Sequence, residues 1–144
     1  INLLRWIPQS FYYFYGYCMW RKMTGRDMPT VVVPSGNYGN LTAGMLARRM
    51  GLPIKGFVAA SNANDVVPEF LLTEQYRPRK SVQTVANAMD VGDPSNFERM
   101  MELCGGDVKA LQGEVQGYSC SGAAESDTSL VKAPFKYWFF ATLR

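Results

Sequence analysis

The sequence predicts an α/β fold built on a parallel sheet. Three observations carry this reading. A β-branched run, Val31-Val32-Val33, leads into a Gly/Asn-rich turn from Pro34 to Asn40. A stretch rich in Ala, Leu, Met and Arg follows and predicts a helix over 41–50. A second apolar segment, Ile54–Ala60, begins just after Gly51 and Pro53. Strand, helix and strand at this spacing make a compact parallel crossover. The 144 residues, 47% of them hydrophobic, suit one modest core or part of a larger domain.

Before that unit, residues 2–23 read as a helix. Its apolar side chains, among them Leu3, Leu4, Ile7, Phe11, Phe14, Tyr15 and Met19, run nearly all round. A helix of that kind is expected to be buried. Arg5, Pro8, Gln9 and Ser10 leave too short an apolar run for a membrane span. Gly25 and Pro29 end the helix. The chain opens without a methionine or a cap, as expected of a fragment. Thr30–Val33 then predicts a short strand covered on both faces.

After the second strand, Asn62-Ala63-Asn64-Asp65 is a polar turn. Asp65 is placed to cap the next helix, with Pro68 in its first turn. Residues 73–94 are expected to be irregular. Ser95 is a candidate cap for a helix over 96–104, which Gly105-Gly106 breaks. A weaker helix is expected over 107–112. No internal repeat or low-complexity tract is present.

Composition excludes several chemistries. There is no histidine, which removes His-based triads and His-containing zinc sites. Cys18, Cys104 and Cys120 are odd in number and widely spaced, so neither a metal site nor a disulfide framework is expected. Reduced thiols in a cytoplasmic setting are the expectation. The net charge of +3 is small and scattered and implies no nucleic-acid partner.

The turn at 34–40 carries the candidate chemistry. Strand, glycine loop and helix N-terminus together form a backbone anion cradle. Glycines tolerate positive φ and let a ligand approach the main chain. The first helix amides have no internal partner and lie at the positive end of the helix dipole. A phosphate is the favoured guest over a plain turn, with Ser35 and Asn37 as possible side-chain donors. Tyr38 reads as a core-facing aromatic. The loop is neither a GxxxxGK[ST] loop nor GxGxxG. The turn at 62–65 follows the next parallel strand, so both turns should face one crevice. Asn and Asp also favour such turns for their own sake, and the two readings stand level.

The run VVVPSGNYGNLTAGMLARRMGLPIKGFVAASNANDVVPEFL closely resembles a segment of the threonine synthase family. The resemblance continues through Ser81–Val91 and Pro94–Arg99. It reaches back to Ile1–Arg5, Gln9 and the Tyr-Tyr-Phe-Tyr helix, covering roughly 1–120. It implies part of a pyridoxal-phosphate-dependent fold type II domain, the tryptophan synthase β-like fold, with three layers about a parallel sheet. It implies a lyase that converts O-phospho-L-homoserine and water into L-threonine and phosphate. Ser35, Gly36, Asn37, Tyr38 and Gly39 become the cradle for the cofactor phosphate, flanked by Asn40. Asn2 resembles the asparagine beside the cofactor ring. Asn62, Asn64 and Asp65 would border the substrate crevice. A dehydratase or cysteine synthase of the same fold is the enzymatic alternative, opposed by the Asn-Asp and Asn-Ala-Met-Asp segments.

The sequence departs from the family in two ways. The lysine that forms the Schiff base lies in a Phe-Lys-Asp context before the segment matching residue 1. None of Lys22, Lys55, Lys80, Lys109, Lys132 and Lys136 has that context. No catalytic residue is therefore expected in this chain, which by itself is expected to be inactive. After about Ser121 the resemblance stops, so residues 1–121 read as the family segment. Residues 122–144 read as a divergent tail, for which a shifted reading frame is the hypothesis. A truncated, non-catalytic phosphate-binding product is the third alternative. Oligomeric state is left open.

Overall fold

The computed structural model describes residues 3–119. Asn2 and the tail at 122–144 lie outside the described residues. A single 3-10 turn, Leu3–Arg5, leads into α1 (Trp6–Thr24), close to the expected helix. Gly25 stops α1 in the left-handed conformation, φ 67°, and its amide donates to the Arg21 carbonyl.

Burial of α1 differs from expectation. Trp6, Ser10, Gly16 and Tyr17 are buried. Leu4, Ile7, Phe11, Tyr15, Met19 and Met23 are exposed, Phe11 and Tyr15 by about two thirds (62% and 66%). A helix that is apolar all round has no single core-facing stripe. Here α1 lays one side on α2 (Gly39–Arg49) and, among the described residues, leaves the other exposed.

The sheet is parallel throughout and runs in the order β1 (Thr30–Pro34), β2 (Gly56–Ser61), β3 (Val115–Ser119). β1 and β2 pair with Thr30 opposite Gly56, and α2 connects them. The predicted crossover is present. β1 is an edge strand, and only Val33 in it is fully buried, so the expected cover on both faces is incomplete. β2 alternates, with Phe57, Ala59 and Ser61 buried.

α3 (Val66–Thr73) follows the polar turn. Asp65 occupies the cap position but makes no capping bond; its carboxylate pairs with Arg79 instead. Residues 74–96 are irregular apart from a 3-10 turn at Asn87–Met89. α4 (Phe97–Leu103) starts one residue later than expected, with Asn96 in the cap position, because Ser95 is turned toward Asn37. Gly105 and Gly106 end it with φ of 66° and 76°. α5 (Val108–Glu114) is capped by Asp107, whose carboxylate accepts from the Lys109 amide.

The sequence reading missed β3 (Val115–Ser119). Val-Gln-Gly-Tyr-Ser has neither an apolar run nor a clean alternation. Gly117 sits there because a Cβ would lie 2.6 Å from the Pro68 Cα on α3. Leu41 and Met45 of α2, Ile54, Phe57, Leu111 and Val115 form the centre of the core.

Candidate functional site

The loop between β1 and α2 lies at the carboxyl end of the sheet, where ligands bind in open parallel sheets. The Ser35 amide continues the sheet ladder by donating to the Ala60 carbonyl at 2.8 Å. The next amide with a main-chain partner is that of Thr42, which donates to Tyr38 at 2.9 Å. Among the described residues, the amides of Gly36 through Leu41 make no bond to a main-chain carbonyl. This is the donor array that an oxyanion requires at a helix N-terminus.

The conformation of the loop differs from the sequence reading in one respect. Its left-handed residue is Tyr38, φ 61°, and neither Gly36 nor Gly39 has positive φ. Gly36 is required for space: a Cβ there would lie 2.6 Å from the Met89 Cα. Tyr38 is held in place by burial, being 3% exposed, and by a 2.7 Å hydrogen bond between its hydroxyl and Ser61 Oγ. Burial pushes its phenol up to about 12, so it stays protonated, while the Ser61 bond pulls the other way. The core-facing expectation for Tyr38 therefore holds.

The side chains of the loop are largely committed. Ser35 Oγ donates to the Val33 carbonyl at 2.8 Å. Asn37 Oδ1 accepts from the Ser95 amide at 2.8 Å and the Ser95 hydroxyl at 3.0 Å. Asn96 Nδ2 donates to the Asn37 carbonyl at 2.8 Å. These bonds fasten the loop to the start of α4. From the other side, the Tyr13 hydroxyl of α1 donates to the Asn40 carbonyl at 2.9 Å.

A cavity of about 150 Å³ opens beside the loop, lined by Arg5, Trp6, Gln9, Asn37, Gly39 and Asn96. Asn96 is 3% exposed, and its Oδ1 has no partner among the described residues; Gln9 Oε1 is likewise buried and unpartnered. Arg99 lies over the Trp6 ring at 5.7 Å. The sequence reading assigned no role to Arg5, Gln9 or Asn96. Only their arrival at one cavity from two distant helix starts singles them out.

The turn at 62–65 lies at the end of β2, as expected. Asn62 Nδ2 donates to Asp90 Oδ1 at 2.8 Å and to Thr84 Oγ1 at 2.9 Å. Asn64 Nδ2 donates to the Val82 carbonyl at 2.9 Å, and its Oδ1 accepts from the Val82 amide at 2.7 Å. Asp65 accepts from the Ser119 hydroxyl at 2.7 Å. The Thr84 hydroxyl and then the Thr84 amide hold the Asp90 carboxyl below the usual aspartate value, with Asn62 adding to this against desolvation. The structure brings 62–65 against the 82–90 segment, not directly onto the loop. Among the described residues no acidic, cysteine or histidine cluster could hold a metal ion. No helix there is long and apolar enough to cross a membrane.

No family model matches the sequence. Individual relatives do. The chain is 50% identical over 103 residues to a threonine synthase of Haemophilus influenzae, which takes in 72% of this chain and 24% of that protein. The crystal structure of threonine synthase from Escherichia coli superposes with a TM-score of 0.73 at 41% identity, over 82% of this chain and 27% of that one. A PLP-bound threonine synthase from Brucella melitensis superposes with a TM-score of 0.71 at 30% identity, over 84% of this chain and 31% of that one. The chain thus spans about a quarter of the length of the relatives it matches. Over that span it is homologous to threonine synthases and shares their α/β fold.

Proposed function

We propose that this chain is a portion of a threonine synthase, carrying the loop that binds the phosphate of pyridoxal 5'-phosphate. The observation that carries the reading is the run of amides from Gly36 to Leu41 that make no main-chain bond among the described residues, set at the start of an eleven-residue helix. Its length and position fit a phosphate monoester. Homology to synthases, one of them PLP-bound, supports the same guest.

In this reading Ser35, Gly36, Asn37, Tyr38 and Gly39 surround the cofactor phosphate and Asn40 flanks it. Gly36 makes room for the Met89 backbone behind the loop, and Tyr38 anchors the loop to β2 through Ser61. The bonds from Ser95, Asn96 and Tyr13 hold the loop before any ligand arrives, which lowers the ordering cost of binding. Asn62, Asn64 and Asp65 border the crevice at the end of β2. Asn2, outside the described residues, is assigned to the cofactor ring.

The whole enzyme's reaction is the conversion of O-phospho-L-homoserine and water to L-threonine and phosphate, a carbon–oxygen lyase reaction. Pyridoxal phosphate, when bound, withdraws electrons from the substrate carbons and so permits loss of the phosphate and addition of water. This chain's share is binding and orientation. Arg5 lines the cavity beside the loop, and the substrate's own phosphate is the anion that matches its charge. The crevice wall at 62–65 limits where the rest of the substrate can lie.

The chain alone is proposed to be inactive. Lys22, Lys55, Lys80 and Lys109 are exposed, whereas a lysine holding the cofactor must face the crevice. A reducing cytoplasmic setting fits the free thiols of Cys18 and Cys104. Two measurements on the purified chain test the proposal. Pyridoxal phosphate should quench its tryptophan fluorescence saturably, and Gly39→Asp should abolish the effect by placing a carboxylate in the loop. Phosphohomoserine with pyridoxal phosphate should yield no threonine. Absence of binding would overturn the cofactor assignment, and threonine formation would overturn the inactivity.

A further inference from the structure

The segment Arg79–Gly92 is irregular, but it is tied at both ends and in the middle. The Arg79 amide donates to the Gly92 carbonyl at 2.9 Å. A Cβ on Gly92 would lie 1.9 Å from the Arg79 oxygen, so only glycine allows this closure. Outside the closure, Arg79 pairs with Asp65 and, at 2.6 Å, with Glu69. Asn64 grips Val82 through both its amide oxygen and its amide nitrogen, in the manner of a neighbouring strand. Near the far end, Asp90 gathers Asn62, Asn64 and both the amide and hydroxyl of Thr84 onto one carboxylate. The outward side chains Val82 and Val85 are exposed and contribute little to holding the segment.

One residue before Asp90, the Met89 backbone rests on Gly36 in the place a side chain would occupy. Gly36 contributes the first of the loop amides that lack a main-chain partner among the described residues. The segment therefore forms a strap from the turn after β2 to the loop after β1, latched at Asp90 and bearing on the ligand-facing backbone. We propose that Asp90 is a positioning residue for ligand binding: it latches this strap against Gly36, so that occupancy of the loop and closure of the strap favour each other. The inference rests on the reading of 35–39 as a phosphate cradle. The physical basis is contact between two backbones. If the latch opens, Met89 withdraws, Gly36 loses its wall, and the amide array loses a fixed geometry. Linkage then requires the reverse, that a ligand in the loop keeps the latch shut.

Trypsin reports the strap at Lys80, which lies within it and is exposed, when protection is seen with inorganic phosphate as well as with pyridoxal phosphate, whose aldehyde can itself form an imine with an exposed lysine. The rate of appearance of the fragment ending at Lys80 is followed by mass spectrometry without ligand, with pyridoxal phosphate and with inorganic phosphate, for the full chain and for Asp90→Asn, Thr84→Val and Gly36→Ala. Binding is read in parallel from tryptophan fluorescence, and folding from circular dichroism. In the wild type, ligand is expected to slow cleavage at least about fivefold, the low end of typical coupling. Asp90→Asn is expected to raise cleavage of the free chain and to weaken binding by a similar factor. Gly36→Ala, which wedges Met89 from the other side, should do the same. Thr84→Val removes only part of the latch and serves if Asp90→Asn fails to fold.

Faster cleavage in Asp90→Asn or Thr84→Val with unchanged binding would overturn the proposal, since strap and loop would be independent. So would wild-type binding with no protection of Lys80. If pyridoxal phosphate does not bind but inorganic phosphate protects Lys80, the cofactor reading falls and the latch stands. If neither ligand protects Lys80, or pyridoxal phosphate alone does, the latch falls.

Discussion

Helices α1 and α2 lie side by side, and the more apolar of the two is the less buried. α2 carries Arg48 and Arg49 in its last turn, yet Leu41, Thr42, Ala43, Gly44, Met45 and Ala47 are all buried. α1 has no charged residue between Trp6 and Trp20, yet exposes a stripe from Leu4 to Met23. Hydrophobicity thus reports what a helix can be buried against, while burial depends on what is packed there. α2 is the crossover between two paired strands, so its position follows from the sheet. Among the described residues α1 packs mainly along α2, held by the Tyr13 hydroxyl and by the close approach that Gly44 permits.

The contrast can be broken most directly by truncating one large side chain on each helix. Leu41→Ala should lower the unfolding free energy by about 2–5 kcal/mol, because Leu41 is fully buried. Phe11→Ala, on the exposed stripe, should change it by no more than about 0.5 kcal/mol. Equal costs in urea unfolding would show that the stripe is covered after all.

A smaller effect is expected at the seam. A Cβ on Gly44 would lie 2.6 Å from Tyr13 Cζ and 2.8 Å from Phe57 Cε1. Gly44→Ala should therefore cost about 1–3 kcal/mol through overpacking, read as a lower thermal midpoint. Tyr13→Phe keeps the ring against Phe57 and loses only the bond to the Asn40 carbonyl. Its cost should be about 1 kcal/mol, and Tyr13→Phe should also weaken ligand binding if α1 steadies the loop.

The smallest effect concerns the far end of α1, where the Tyr17 hydroxyl bonds the Asp27 carboxylate. That bond, then the Met28 amide and the charge of Arg21, holds the Asp27 carboxyl below its ordinary value of 3.8, against desolvation. A depressed folded-state value stabilises the fold above the unfolded-state value, and the contribution fades as pH falls through the folded one. A stability profile from pH 6 downward should thus lose a small component below about pH 4. Asp27→Asn should remove it. An unchanged slope in the variant would show that this tether does not hold α1.

Much of the fold was legible because local signals agreed with tertiary placement. Val31–Val33, the glycine loop and the Ala/Leu helix form a unit whose period, turn residues and spacing point the same way. The caps were less legible. Asp65 and Ser95 are good cap residues by type, but Arg79 and Asn37 compete for their side chains, and those partners are distant in sequence. β3 was hidden because Gly117 reads as a breaker, while its real reason is the backbone of α3.

The candidate site divides in the same way. The loop at 35–39 was visible from the sequence, since strand, glycines and helix start are contiguous. Its strained residue was misplaced. Glycine is the usual bearer of positive φ, but here the buried Tyr38–Ser61 bond holds a tyrosine in it and leaves Gly36 to make room for Met89. The cavity at Arg5, Gln9 and Asn96 and the latch at Asp90 join residues far apart in the chain, and no local pattern announces them.

By itself the sequence determined the parallel crossover, the place of the glycine loop proposed to hold a phosphate, and the resemblance to one enzyme family, because each is written in contiguous residues. Which glycine makes space, which aromatic bears the strain, and which carboxylate ties the strap to the loop were decided by tertiary packing. Those choices depend on backbones meeting across the fold, at distances that local propensity does not encode.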